Sequence, residues 1–116
     1  GCGTGVVLQE LQASGAHATG LDFSSEALEF CKQRSLENLV LGDAQALPFG
    51  DRTFDAILGL DVFEHLESDV QAFREAHRTL KPEGILILSV PAFKWLWGPH
   101  DVALHHFRRY TRAEAV

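Results

Sequence analysis

Only two cysteines occur in this 116-residue chain, Cys2 and Cys31, and they form neither a CxxC pair nor a zinc-site spacing. Two isolated thiols exclude a disulfide-built scaffold and suit a reduced, cytoplasmic compartment. No apolar run approaches the roughly 20 residues that a helix needs to span a bilayer. The longest, residues 85–90, fits one buried strand. No secretory leader is visible, although a chain that begins inside a longer protein would not show one. Long basic runs are absent as well, and the net charge of -6 argues against a nucleic-acid backbone as partner. The charge is unevenly spread: residues 1–92 carry 6 basic and 14 acidic side chains, whereas residues 93–116 carry 4 and 2, with three histidines. The tail is therefore a separate electrostatic region.

What is present is alternation. Residues 4–14 place Val7, Leu8 and Leu11 at helical spacing and stop at Gly15. Residues 17–22 are short and extended, and Phe23-Ser24 with Glu26 opens a helix whose inner face holds Ala27, Leu28 and Cys31. That face makes Cys31 a small core residue. Residues 39–41 form the next strand, residues 44–52, with Pro48 and Gly50-Asp51, a loop, and residues 54–60 a further strand. Val70, Phe73, His77 and Leu80 share one face of the helix that follows, and Lys81-Pro82-Glu83-Gly84 ends it. Residues 85–90 are apolar on both faces, as in a central parallel strand. A chain of this length buries roughly 60 to 70% of its unfolded surface. The class is α/β, with a doubly wound, mostly parallel sheet.

Three motifs fall at successive strand ends: Gly1-Cys2-Gly3-Thr4-Gly5, then Asp22, then Asp43-Ala44. Closely spaced glycines let a backbone turn tightly against a ligand, and a helix N-terminus behind them adds a positive field. An acid at the end of the second strand is placed to accept from both hydroxyls of a ribose. The set resembles the class I S-adenosylmethionine (SAM) methyltransferases, over nearly the whole chain. The resemblance implies SAM as cofactor, bound by Gly1, Cys2, Gly3, Gly5, Asp22, Phe23, Asp43, Ala44 and Leu60. In it the loop holds the methionine and ribose end, Asp22 the ribose, and Asp43 the adenine amine, with Phe23 against the ring. A dinucleotide fingerprint, GxGxxG, needs a sixth-position glycine where Val6 stands, which disfavours a nicotinamide dehydrogenase.

Gly59-Leu60-Asp61-Val62-Phe63-Glu64-His65-Leu66 follows a strand at the rim where open α/β sheets do their chemistry. It resembles the Glu-His element of the small-molecule, quinone and lipid branch, and lacks the Pro-Pro-Tyr of enzymes that methylate amino groups of DNA bases or glutamine. An imidazole titrates near neutrality, so His65 is a candidate general base, with Glu64 or Asp61 to orient it. The same Glu-His pair reads as well, and slightly better, as a cap or brace of the loop. Asp61 fits better as a wall of the SAM pocket, and Asp55, at the far end of its strand, as a structural residue.

In the tail, Trp95 and Trp97 either line an acceptor pocket or cover the sheet edge. His106, Arg108 and Arg109 are further acceptor-side candidates, the arginines as carboxylate or phosphate clamps or as ion-pair partners of the acidic body. The ending Arg-Arg-Tyr-Thr resembles a subset of type 11 methyltransferases. His100, Asp101, His105 and His106 are metal ligands by type, but methyl transfer from SAM needs no metal, and none is expected.

The organisation expected is one partial domain, residues 1–90 for the cofactor and 91–116 on the acceptor side. No strand precedes Gly1, and a capping box at residues 111–114 opens a helix that barely begins. The family's first strand and last two strands are missing, so the chain reads as an internal fragment. The function implied is methyl transfer to a small-molecule or lipid-like acceptor, without nucleic acid or membrane span. The rivals are a nonenzymatic SAM-fold partner domain and, behind it, the NAD-dependent dehydrogenase.

Overall fold

Gly5, at φ 88° and ψ 17°, precedes helix α1 (Val6–Ala13), which begins without a side-chain cap. A Cβ at Gly5 would stand 2.5 Å from Leu36 Cδ1 and 2.9 Å from Cys31 Sγ, so both the left-handed backbone and the close approach demand glycine. The computed structural model describes residues 1–92. The chain divides into two units, Gly1–Pro48 and one beginning at Phe49.

In the first unit, α1 is followed by β1 (Gly20–Asp22), α2 (Ser25–Gln33) and β2 (Leu39–Leu41). The strands pair in parallel, with Gly20 opposite Leu39 and Asp22 opposite Leu41. A parallel pair needs a crossover, and α2 supplies it. Ser24 caps that helix, its Oγ accepting from Ala27 N at 3.2 Å. Leu8, Leu28 and Cys31 form the buried centre, each leucine contributing about 1.5–3 kcal/mol. Cys31 is a core residue, as its helical spacing implies. Val7, expected to share the inner face of α1, is 45% exposed. Only Leu8 is buried on so short a helix. The first strand begins at Gly20 and not at His17. Gln12 ties α1 down, its Nε2 donating to the carbonyls of Ala18 and Glu37.

The second unit contains β3 (Phe54–Leu60), a 3-10 turn (Phe63–His65), α3 (Asp69–Thr79) and β4 (Leu80–Ser89). From Ala56 opposite Ile85 to Leu60 opposite Ser89 the two strands run parallel in regular register. Before that, Phe54 pairs with Leu80. The expected turn at residues 81–84 is thus a bulge inside β4: four residues loop out against Asp55, with Glu83 at φ 66°. Pro82 withholds a ladder donor there, and Lys81 Nζ reaches Asp55 Oδ1 at 3.1 Å. Asp55 is accordingly a structural residue.

The inner face of α3 differs from the expected line of Val70, Phe73, His77 and Leu80. Ala72, Ala76 and Thr79 are buried, while Val70 and His77 are exposed and Leu80 already belongs to β4. Small side chains let the helix axis lie close to the strands, and Phe73 fills the space beside them. Its ring centroid is 4.6 Å from that of Phe63. Phe63 and Ala72 centre a cluster with Val62, Leu66, Phe73, Leu88 and Val90. Gly59 permits this, since a Cβ there would come within 2.6 Å of the Phe63 ring.

Burial of both faces of residues 85–90 is not observed. Ile85 is 61% and Ile87 48% exposed, because among the described residues of this unit helix α3 and the 3-10 turn pack only against the opposite face. Arg78, at the end of α3, holds the preceding loop. Its guanidinium donates to Phe49 O and pairs with Asp51 and Glu75.

Candidate functional site

The five residues of the glycine loop hang on the C-terminal end of β1. Cys2 N donates to Leu21 O at 2.8 Å, and Gly3 N to Asp22 Oδ2 at 2.9 Å. The other oxygen of the same carboxylate, Oδ1, accepts from Ser24 N at 2.9 Å. Asp22 is only 6% exposed, and a carboxylate is tolerated at that depth because backbone donors face it. One acid therefore ties the glycine loop to the start of α2. Its backbone carbonyl accepts from Gly42 N, which joins the ends of β1 and β2.

Beside this brace the surface is open. Gly3 has φ 55° and no heavy atom within 4 Å of a Cβ placed on it, so the space above the loop is free for a ligand. Phe23 presents its ring to solvent at 83% exposure. Asp43 is exposed, and its Oδ1 takes hydrogen bonds from Gln45 N at 2.8 Å and Gln45 Nε2, while its backbone carbonyl accepts from Ala46 N at 3.0 Å. Ala44 is half-buried in the adjoining turn. The first unit thus brings Gly1, Cys2, Gly3, Gly5, Asp22, Phe23, Asp43 and Ala44 to the ends of two parallel strands.

The two thiols, 29 positions apart in sequence, meet under this loop. Cys31 Sγ donates to Gly3 O at 3.2 Å and Cys2 Sγ reaches the same carbonyl at 3.9 Å. Burial, and then the neighbouring Cys31, push the Cys2 thiol up to about 11. Nothing in the sequence spacing signals this pairing, which needs the crossover through β1 and α2.

The second unit has its own rim at the end of β3. Leu60 is half-buried and pairs with Ser89. Asp61 sits at φ 52°, its N–H donates to Ser89 O at 2.9 Å, and its Oδ1 accepts from Ser89 Oγ at 2.8 Å. A left-handed aspartate held by two bonds at a strand end is a fixed polar corner. Glu64 is 1% exposed, with Oε1 4.0 Å from His65 Nε2, whose side chain is 39% exposed. Of the two acids considered as partners of His65, Glu64 is the adjacent one, while Asp61 is engaged with Ser89. Trp95, Trp97, His100, Asp101, His105, His106, Arg108 and Arg109 lie outside the described residues. Among the described residues no helix is long and apolar enough to cross a membrane.

The methyltransferase domain family matches residues 1–88. The chain is 38% identical over 109 residues to demethylmenaquinone methyltransferase of Staphylococcus epidermidis, covering 83% of this chain and 45% of that protein. It is 29% identical over 99 residues to ubiquinone biosynthesis O-methyltransferase of Haemophilus ducreyi, covering 77% and 42%. The chain spans about half the length of the curated relatives it matches. Among solved structures, the YcgJ protein of Bacillus subtilis superposes with a TM-score of 0.78 at 26% identity, over 99% of this chain and 55% of that one. Parallel strands with helical crossovers, the glycine loop braced by Asp22, and a family match over most of the length lead to one assignment: the chain belongs to the class I SAM-dependent methyltransferases, type 11 branch, with SAM as the cofactor that the family implies.

Proposed function

We propose that this protein transfers a methyl group from SAM to a quinone-like acceptor. The observation that carries the reading is the buried Asp22 carboxylate holding the N–H groups of Gly3 and Ser24 beside open space over the loop. It is a preformed cradle, and preformed donors and acceptors lower the ordering cost of binding. Gly1, Cys2, Gly3 and Gly5 would line the methionine and ribose end. Asp22, whose oxygens each keep a second lone pair, would accept from the ribose. Phe23 would stack on the adenine, Asp43 would take its amine, and Ala44 would complete the wall. The relatives named for demethylmenaquinone and ubiquinone biosynthesis support the acceptor class.

SAM, when bound, supplies a methyl group already activated by its sulfonium. The chain's remaining tasks are to orient the acceptor, exclude water and take a proton. His65 is assigned the proton, at Nε2, with the buried Glu64 carboxylate stabilising the imidazolium that results. The Asp61–Ser89 corner shapes the rim, and residues 91–116 are assigned to the acceptor side.

The test is turnover. Native protein with SAM and a demethylmenaquinol bearing a short prenyl tail should yield S-adenosylhomocysteine and a methylated quinol. SAM binding without turnover on any quinol or hydroxyarene would favour a nonenzymatic domain, and NAD binding in place of SAM would overturn the assignment. His65→Ala should lower kcat by about 10²–10⁴ with SAM affinity unchanged. Normal kcat across a pH series would return His65 to the role of a brace.

A further inference from the structure

The glycine loop carries a chemical feature that methyl transfer does not use. Cys2 and Cys31 are contributed by the loop and by helix α2, and both thiols point at the carbonyl oxygen of Gly3, at 3.9 and 3.2 Å. Cys31 is fully buried, while Cys2 is partly open to solvent. Their surroundings leave little room for other movement. A Cβ on Gly5 would lie 2.9 Å from Cys31 Sγ, and one on Gly20 would lie 3.1 Å from Cys2 Sγ.

We propose that Cys2 and Cys31 are an oxidisable pair, and that a hydroperoxide converts them to a disulfide that pins the glycine loop to α2 and blocks SAM binding. The sulfur that meets the oxidant is the partly exposed Cys2. Its thiolate attacks the peroxide O–O bond, forming a sulfenic acid and releasing water from hydrogen peroxide. Cys31 then attacks the Cys2 sulfur, the S–S bond forms, and the sulfenic oxygen leaves as a second water. Two thiols and one peroxide give one disulfide and two waters. The high proton affinity of Cys2 makes the first step slow, which suits a response to sustained peroxide and not to a passing pulse.

The consequence follows from what the thiols now hold. Gly3 O loses the Cys31 donor, and closing the S–S bond draws Cys2 of the loop towards Cys31 on α2. Gly3 N is held by Asp22 Oδ2 on one side, so the pull distorts the same loop that would contact the cofactor. The regulatory part of the inference rests on the cofactor reading above. The disulfide itself does not.

Cys2 and Cys31 fall in one tryptic peptide ending at Lys32, which cleavage at Glu10, Glu26 and Glu29 divides. After peroxide treatment of the native protein, the two cysteine fragments should remain joined and separate on reduction. Calorimetry should show SAM affinity reduced at least tenfold by peroxide and restored by a thiol reductant. Cys31→Ser, which keeps a donor for Gly3 O but cannot form the disulfide, should bind SAM like wild type and lose the peroxide effect. A Cys2 that proceeds to sulfinic acid with Cys31 still a free thiol would overturn the proposal. So would a crosslinked protein with unchanged SAM affinity. If the reduced protein bound no SAM, the cofactor reading would fall, and the joined fragments would still decide the thiol pair.

Discussion

Replacing Asp22 separates two roles that the position combines. If its carboxylate serves only a ribose, the ligand-free protein should not notice its loss. In the structure the two oxygens hold Gly3 N and Ser24 N at 2.9 Å each, at 6% exposure. Hydrogen bonds to a charged group contribute about 1.5–3 kcal/mol each. Gly3 is only half-buried, so water will recover part of one bond, and the expected cost of Asp22→Ala in ligand-free protein is about 3 kcal/mol. Asp22→Asn keeps one acceptor but turns an amide donor towards the other N–H, and should cost about 2 kcal/mol. With a urea slope of about 1–3 kcal/mol per molar, the alanine variant's midpoint should fall by about 1–3 M. Urea unfolding of native protein and both variants, followed by circular dichroism without SAM, measures this. Variants within about 0.5 kcal/mol of wild type would refute the brace, and calorimetry with SAM would then show whether a binding role remains.

Gly5→Ala should be more damaging than an ordinary surface glycine change, because a left-handed residue costs about 1–2 kcal/mol and the clash with Leu36 and Cys31 adds about 1–3; thermal unfolding reads it, and a melting temperature unchanged from wild type would contradict the geometry. Gly59→Ala should cost about 1–3 kcal/mol by forcing the Phe63 ring off β3, and a Phe63→Leu background should relieve part of that loss. Alkaline stability tests the Cys2 environment. The unfolded thiol releases its proton near 9 and the folded one near 11, so the unfolded state binds fewer protons in that window. Stability contributed by the protonated thiol is therefore full below about pH 9 and is lost as pH rises towards 11. Urea midpoints at about pH 8 and about pH 10 should diverge more in wild type than in Cys2→Ala, and equal falls would dismiss the assignment.

Much of the fold and part of the candidate site were legible because they depend on local pattern. Residues 39–41 and 54–60 form strands where apolar runs meet turn residues, and Ser24 caps α2 where its type and the following Glu26 imply. The glycine loop, Asp22 and Asp43 stand at strand ends because strand length and turn chemistry set those positions within a few residues. The helical face of α3 is only partly legible from hydrophobicity, which places Phe73 correctly but not Val70 or His77. Side-chain size decided it, since Ala72, Ala76 and Thr79 allow a close approach that Val70 would obstruct. Tertiary structure alone brought Asp22 between Gly3 and Ser24, set Asp61 against Ser89, and buried Glu64 beside His65. It also turned two isolated thiols into neighbours. Sequence determined which short segments could be helix, strand or ligand loop, because backbone preference and apolar period are local properties. The parallel crossover decided which distant polar atoms share an acceptor, because only packing makes residues 29 positions apart adjacent.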